Sequence, residues 1–229
     1  DATPQSGAGL ALGLADRLDS LVGLFAVGLA PTGSADPYHL RRDALGVVQN
    51  LIAHQVELPL RPVLRQVATL LPVTVPDAVP ADVSTFITGR LQGWLRERGV
   101  RYDIVDAVLA VRGDDPYSAY RAAAQLASWV QRADWMDLLN AYGRCIRIVR
   151  DLEERFEFKP GIDPEPATTG LWDAYQAARV QVSPTSDVDR LLTSLWPMIP
   201  AIDAFFDDVL VMHEDQALRE NRLALLQAI

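Results

Sequence analysis

The chain is poor in the residues from which catalytic centres are usually assembled. Its 229 residues hold one cysteine, Cys145, and three histidines. A single thiol excludes an internal disulfide and any multi-cysteine metal site, and it fits a reducing compartment. His39, His54 and His213 are nowhere spaced i, i+3 or i, i+4, so no helical metal pair is present. No His-Asp dipeptide suggests a metal phosphohydrolase, and P-loop, G-x-G-x-x-G and G-x-S-x-G motifs are all missing. No apolar run reaches membrane-spanning length; the nearest, residues 21–30, is short and carries Gly23 and Gly28. The first residues lack the basic and apolar regions of a secretory signal. With no initiator methionine, the chain is expected to be part of something longer.

Lysine is almost absent too. Lys159 is the only one, and every other basic residue is arginine. The formal net charge is −9, which argues against generic nucleic-acid binding because that needs broad phosphate neutralisation. A local cationic patch stays compatible with it. Arginine forks suit bidentate phosphate and base-edge contacts, although a coding bias would also replace lysine by arginine.

What the chain does have is helical periodicity from end to end. Residues 10–29 are apolar on most faces, which predicts a buried helix. Pro31 and Pro37 break it, and Asp36-Pro37 supplies an N-cap and N1 proline for a helix over 38–57. A third helix follows Pro59. Residues 71–80 hold three prolines and no helical stripe, and they mark the expected domain boundary. Further helices are predicted over 82–98, 103–111, 116–132, 135–156, 168–182, 187–212 and 214–229. Pro197 and Pro200 should kink or split the 187–212 segment. Without an alternating β pattern or an internal repeat, the class is all-α, a helical bundle with short connections.

The 135–156 segment carries the most suggestive pattern. At 100° per residue, Arg144, Arg147, Arg150 and Arg155 fall within an arc of roughly 140°. Leu138, Tyr142, Cys145, Ile146, Val149 and Leu152 occupy the other side, so Cys145 reads as a small core residue rather than a nucleophile. The arginine stripe is either a solvated face laced by Arg147–Asp151 and Arg150–Glu154 pairs or a ridge that meets RNA phosphates and unpaired bases. Trp129 and Trp135 lie beside the preceding turn and are candidate stacking platforms or core fillers. Asp16 with Asp19 and Asp203 with Asp207 are spaced as carboxylate pairs, with salt bridging or capping as their plainer role.

Residues 202–226, containing Asp203-Ala204-Phe205-Phe206-Asp207 and Asn221-Arg222-Leu223, read as two helices broken near His213-Glu214-Asp215. Their wording resembles the C-terminal signature of the bacterial glycyl-tRNA synthetase β-subunit family. Residues 15–28, 31–37, 40–46 and 102–110 resemble the same family in the expected order. The resemblance implies that 1–78 is the end of an HD-like helical domain with its connector. It implies that 79–229 is an anticodon-binding helical domain similar to that of arginyl-tRNA synthetase. It departs from the family pattern at Gly143-Arg144-Cys145-Ile146-Arg147-Ile148, where the family's lysine and asparagine are missing and Arg147 stands as a substitute.

The expected function is recognition of the tRNA(Gly) anticodon arm. Its partner would be a catalytic α subunit or a fused α region, in the cytoplasm, with no role for membrane or DNA. No cofactor is expected in this chain, since ATP and Mg belong to the catalytic part of the parent ligase. Arg144, Arg147 and Arg150 are the first candidates for tRNA contact, followed by Arg112, Arg121, Arg219 and Arg222. The rival expectation is a scaffold that positions neighbouring synthetase domains. A third, an HD-type hydrolase remnant, lacks metal ligands.

Overall fold

A computed structural model describes residues 3–229. Among these residues there are eleven α-helices, one 3₁₀ turn and no strand; a lone β-bridge joins Thr32 to Ala35. The all-α class expected from the periodicity is what the chain adopts. Two compact units divide after Ala127.

The first unit contains α1 (Gly7–Ala26), α2 (Leu40–Ala53), α3 (Leu60–Leu70), α4 (Val79–Glu97), α5 (Tyr102–Arg112) and most of α6 (Pro116–Val130). Its centre is α4, which packs against α1, α2, α3 and α5. Val83, Ile87, Leu91 and Leu95 recur at i, i+4 along α4 and are all buried, which places one stripe of the helix in the core. Ser6 caps α1 by accepting from Gly9 N–H at 3.1 Å.

Glycine has a specific use where α1 meets α2. A Cβ on Gly46 would overlap the Arg17 guanidinium, so Arg17 can lie across α2 only because that position is bare. Arg17 also donates to Gly13 O at 2.9 Å. Of the proline-rich residues 71–80, which lie inside this unit, 71–78 join α3 to α4 and Pro80 occupies the first turn of α4.

The second unit contains α7 (Trp135–Val149), α8 (Pro166–Arg179), α9 (Val188–Leu195), α10 (Ile199–Asp208) and α11 (Gln216–Ala228). Pro197 sits in the 3₁₀ turn Trp196–Met198 and Pro200 in the first turn of α10, so the prolines split the 187–212 segment as predicted. The C-terminal break also forms: residues 209–215 leave the helix, and Asp215 caps α11 by accepting from Leu218 N–H at 3.1 Å. α10 packs on α7 and α8, and α7 packs on α11.

Three expectations are corrected. α1 is not buried all round: Leu10, Leu14, Leu18, Leu21 and Val22 face inward, whereas Leu12 is 73 % exposed. One helical stripe suffices to meet α2, α3 and α4. α2 begins at Leu40, not Tyr38; the Asp36 carboxylate still caps it, accepting from Leu40 N–H (2.9 Å) and Arg41 N–H (3.0 Å) across a turn.

The third correction bears on the site. α7 ends at Val149 rather than running on to 156, where hydrogen bonds from α11 hold the irregular segment that follows. Phe156 N–H donates to Gln227 Oε1 (3.0 Å), Gln227 Nε2 donates to Glu154 O (2.8 Å), and Lys159 N–H donates to Asn221 Oδ1 (2.7 Å). Leu138, Ala141 and Cys145 are the buried face of α7, while Ile146 is 60 % and Leu152 36 % exposed.

Candidate nucleic-acid interface

Packing of α7 against α10 leaves a polar cleft of about 510 Å³ lined by Asp137, Asn140, Arg144, Arg147, Ile199 and Asp203. Arg144 and Arg147 reach it together because residues three apart share a helix face. Arg144 is held in place: its Nη2 donates to Asp203 Oδ1, and its guanidinium lies over the Phe206 ring, 4.9 Å from the centroid. The Asp203 carboxylate therefore serves as an arginine anchor, the plainer of its two expected roles. Arg147 is exposed and makes no ion pair among the described residues. Asn140, also exposed, adds a donor and an acceptor at the same rim.

Arg150 stands at the C-cap of α7 and pairs with Asp151 at 3.3 Å. The expected Arg147–Asp151 and Arg150–Glu154 pairs do not form, because α7 stops before their partners. Arg155 leaves the helix and with it the stripe.

Arg222 is removed from the candidate surface. It is 3 % exposed, with Nε and Nη2 donating to Asp163 at 2.7 and 3.0 Å and Nη1 donating to Leu210 O at 2.8 Å. Thr168 Oγ1 donates to the same carboxylate at 2.7 Å. Burial alone would raise Asp163; the Arg222 and Thr168 hydrogen bonds outweigh it and hold the carboxyl below its ordinary value.

Arg219, half-buried, donates to His213 O at 2.8 Å and so fastens the break before α11. Arg112 and Arg121 belong to the first unit. There Arg112 donates to Ser118 Oγ (3.0 Å) and Arg121 to Glu57 Oε1 (2.8 Å). The cleft thus gathers Arg144 and Arg147, while Arg150, Arg219, Arg222, Arg112 and Arg121 serve elsewhere.

Several other titratable groups among the described residues have structural surroundings. Cys145 is buried, with its thiol pushed up to about 11 by burial. Burial likewise raises the Tyr142 phenol, which donates to Leu195 O at 2.9 Å. His54 Nε2 bonds Pro4 O at 2.9 Å, and His213 Nδ1 accepts from Asp215 N–H at 3.0 Å, so both are structural. No cluster of metal-ligating side chains occurs among the described residues, and none of their helices is long and apolar enough to cross a membrane.

The sequence reading overlooked Asn140 and Arg132. Arg132-Ala133-Asp134 forms a bidentate pair across the turn into α7, with Nε and Nη2 donating to the carboxylate at 3.0 and 2.8 Å. The i, i+2 spacing of opposite charges beside Trp129 was the available signal.

Among the described residues the second unit is helical and carries an arginine-lined cleft, and sequence comparison supplies the class of the chain. The profile for the glycyl-tRNA synthetase beta subunit matches residues 1–110. The glycine–tRNA ligase beta subunit of Moorella thermoacetica is 38 % identical over all of this chain and 34 % of its own length. That of Clostridioides difficile is 30 % identical with the same coverages. A chloroplastic/mitochondrial glycine–tRNA ligase of Arabidopsis thaliana is 34 % identical over all of this chain and 22 % of its own length. These are relatives among the aminoacyl-tRNA synthetases. The chain belongs to the bacterial glycyl-tRNA synthetase β-subunit family, to its C-terminal part, and it spans about a third of the length of the bacterial relatives it matches.

Proposed function

We propose that the chain is the tRNA-recognition part of a glycyl-tRNA synthetase, with the α7–α10 cleft of the second unit receiving the anticodon arm. The observation that carries this reading is the pairing of roles at the cleft. Arg144 is fixed by Asp203 and Phe206, while Arg147 stands exposed without an ion pair among the described residues. A fixed guanidinium loses little entropy on meeting a phosphate or base edge, and a free one supplies charge without first breaking a bridge. Family membership agrees with the reading. The parent enzyme would ligate glycine with ATP and Mg bound at its catalytic part, an α subunit or fused α region, in the cytoplasm.

The scaffold reading has an observation of its own. Net charge is −9, and Arg41, Arg61, Arg96, Arg101, Arg121, Arg132, Arg144, Arg150 and Arg222 all pair with carboxylates of the same chain. The two readings part in one experiment: affinity of the chain for a tRNA(Gly) anticodon stem-loop and for one with a changed anticodon, at low and moderate salt. Recognition predicts tighter, salt-sensitive binding to the glycine anticodon, weakened by Arg147→Ala without loss of helicity. Equal or absent binding to both leaves the scaffold.

A further inference from the structure

At the start of α7 the second unit carries a second arginine fixed in place, and its surroundings are aromatic. The Arg132 guanidinium lies 4.8 Å from the Trp129 ring centroid and 4.4 Å from that of Trp196. The two indoles are themselves 5.4 Å apart and inclined by 36°. The two ring centroids thus lie about as close to each other as each lies to the guanidinium carbon. A guanidinium sandwiched between two rings would hold their centroids much farther apart, so both indoles lie to one side of Arg132.

The rest of the group is also fixed. Asp134 grips one edge of the guanidinium bidentately, which sets its plane. Asp189 accepts from Trp129 Nε1 at 2.8 Å, which helps to fix that indole. The Arg132 side chain nevertheless stays 45 % exposed. The result is a guanidinium fixed by a carboxylate, with two indoles beside it and part of its surface open to solvent. Three separate interactions hold one exposed arginine, more than solvation of a surface charge requires.

We propose that Arg132 is a stacking platform for one unpaired nucleobase, held beside the Trp129 and Trp196 indoles. Unpaired RNA bases stack on arginine planes as on aromatic rings, and such stacking tolerates any base identity because every base has a π-face. Asp134 is the N-cap residue of α7, the helix that bears Arg144 and Arg147. About 15 Å of helix separates residue 134 from residue 144, a span that a few nucleotides of single strand cover. The inference rests on the RNA-recognition reading and adds to it a subsite that holds a base by its face while the cleft takes the strand.

The test uses the whole chain and an anticodon stem-loop of tRNA(Gly), with binding followed by fluorescence anisotropy. Arg132→Lys keeps the charge and removes the plane. Stacking predicts an affinity loss of about tenfold with an unchanged salt slope, since the number of cations is the same. It also predicts that an abasic substitution at one loop position erases the difference between Arg132→Lys and the unaltered chain. Matched thermal melting of the two proteins establishes that the fold is intact. If Arg132→Lys binds as the unaltered chain does while Arg147→Ala weakens binding, the platform is refuted and RNA recognition stands. If the unaltered chain does not bind the stem-loop at low salt, RNA recognition fails and the platform with it.

Discussion

Arg222 and Asp163, 59 residues apart in sequence, hold each other bidentately in the interior of the second unit, at 3 % and 5 % exposure. The bridge ties α11 to the residues just before α8, and Thr168 on α8 completes the hydrogen bonding of the carboxylate. An arginine that the sequence offers as a surface contact is thus a fastening.

Removing one partner strands the other charge in a buried site. Arg222→Leu should therefore destabilise the chain by about 3–5 kcal/mol, whereas Arg222→Leu with Asp163→Leu should recover much of that loss. Urea denaturation of the three proteins measures both. Equal stability of the single and double variants would contradict a buried, mutually dependent pair.

The same pair predicts acid sensitivity. Asp163 is held below its ordinary carboxyl value in the folded chain. The unfolded chain therefore binds the proton more readily, and stability rises with pH through this window. The contribution is fully present above the ordinary aspartate range and is lost as pH falls through the depressed folded-state value. Asp163→Asn should lower stability at neutral pH and flatten the acid limb of a stability–pH profile. An acid limb as steep as that of the unaltered chain would show that other carboxylates govern it.

Cys145 should be inert while the fold persists. Its thiol is buried against Ala141 O and raised to about 11, so the thiolate is scarce near neutrality. Labelling by a thiol-specific reagent is expected to follow unfolding, slow in buffer and fast in urea. Rapid labelling in buffer would place the thiol at the surface.

The end of α7 can be read from two leucines. Leu138→Ala, at a buried position, should cost about 2–5 kcal/mol. Leu152→Ala, beyond the helix and partly exposed, should cost far less. Comparable melting losses would restore the longer helix.

These contrasts show what the sequence reveals and where it stops. Helix order was legible because its signals are local: Asp36 and Asp215 cap, and Pro197 and Pro200 divide. The cleft was partly legible, since Arg144 and Arg147 share a face by helix geometry alone. The end of α7 was not: Gln227 and Asn221 hold the segment after it from α11 through hydrogen bonds that no local window contains. The fate of Arg222 was hidden for the same reason: its partner is remote. Arg132 was missed because its worth comes from Trp196, which folding alone brings beside Trp129.

The place of α4 sets how this polypeptide can be divided. Cutting at the prolines of residues 71–80 would part α1, α2 and α3 from the helix that all three embrace. Val83, Ile87, Leu91 and Leu95 would be laid bare on one piece and their sockets on the other. Such halves would be sticky and would regain shape only by finding each other, as the pieces of a split reporter do. The proline-rich stretch 71–80 therefore joins helices that share one core.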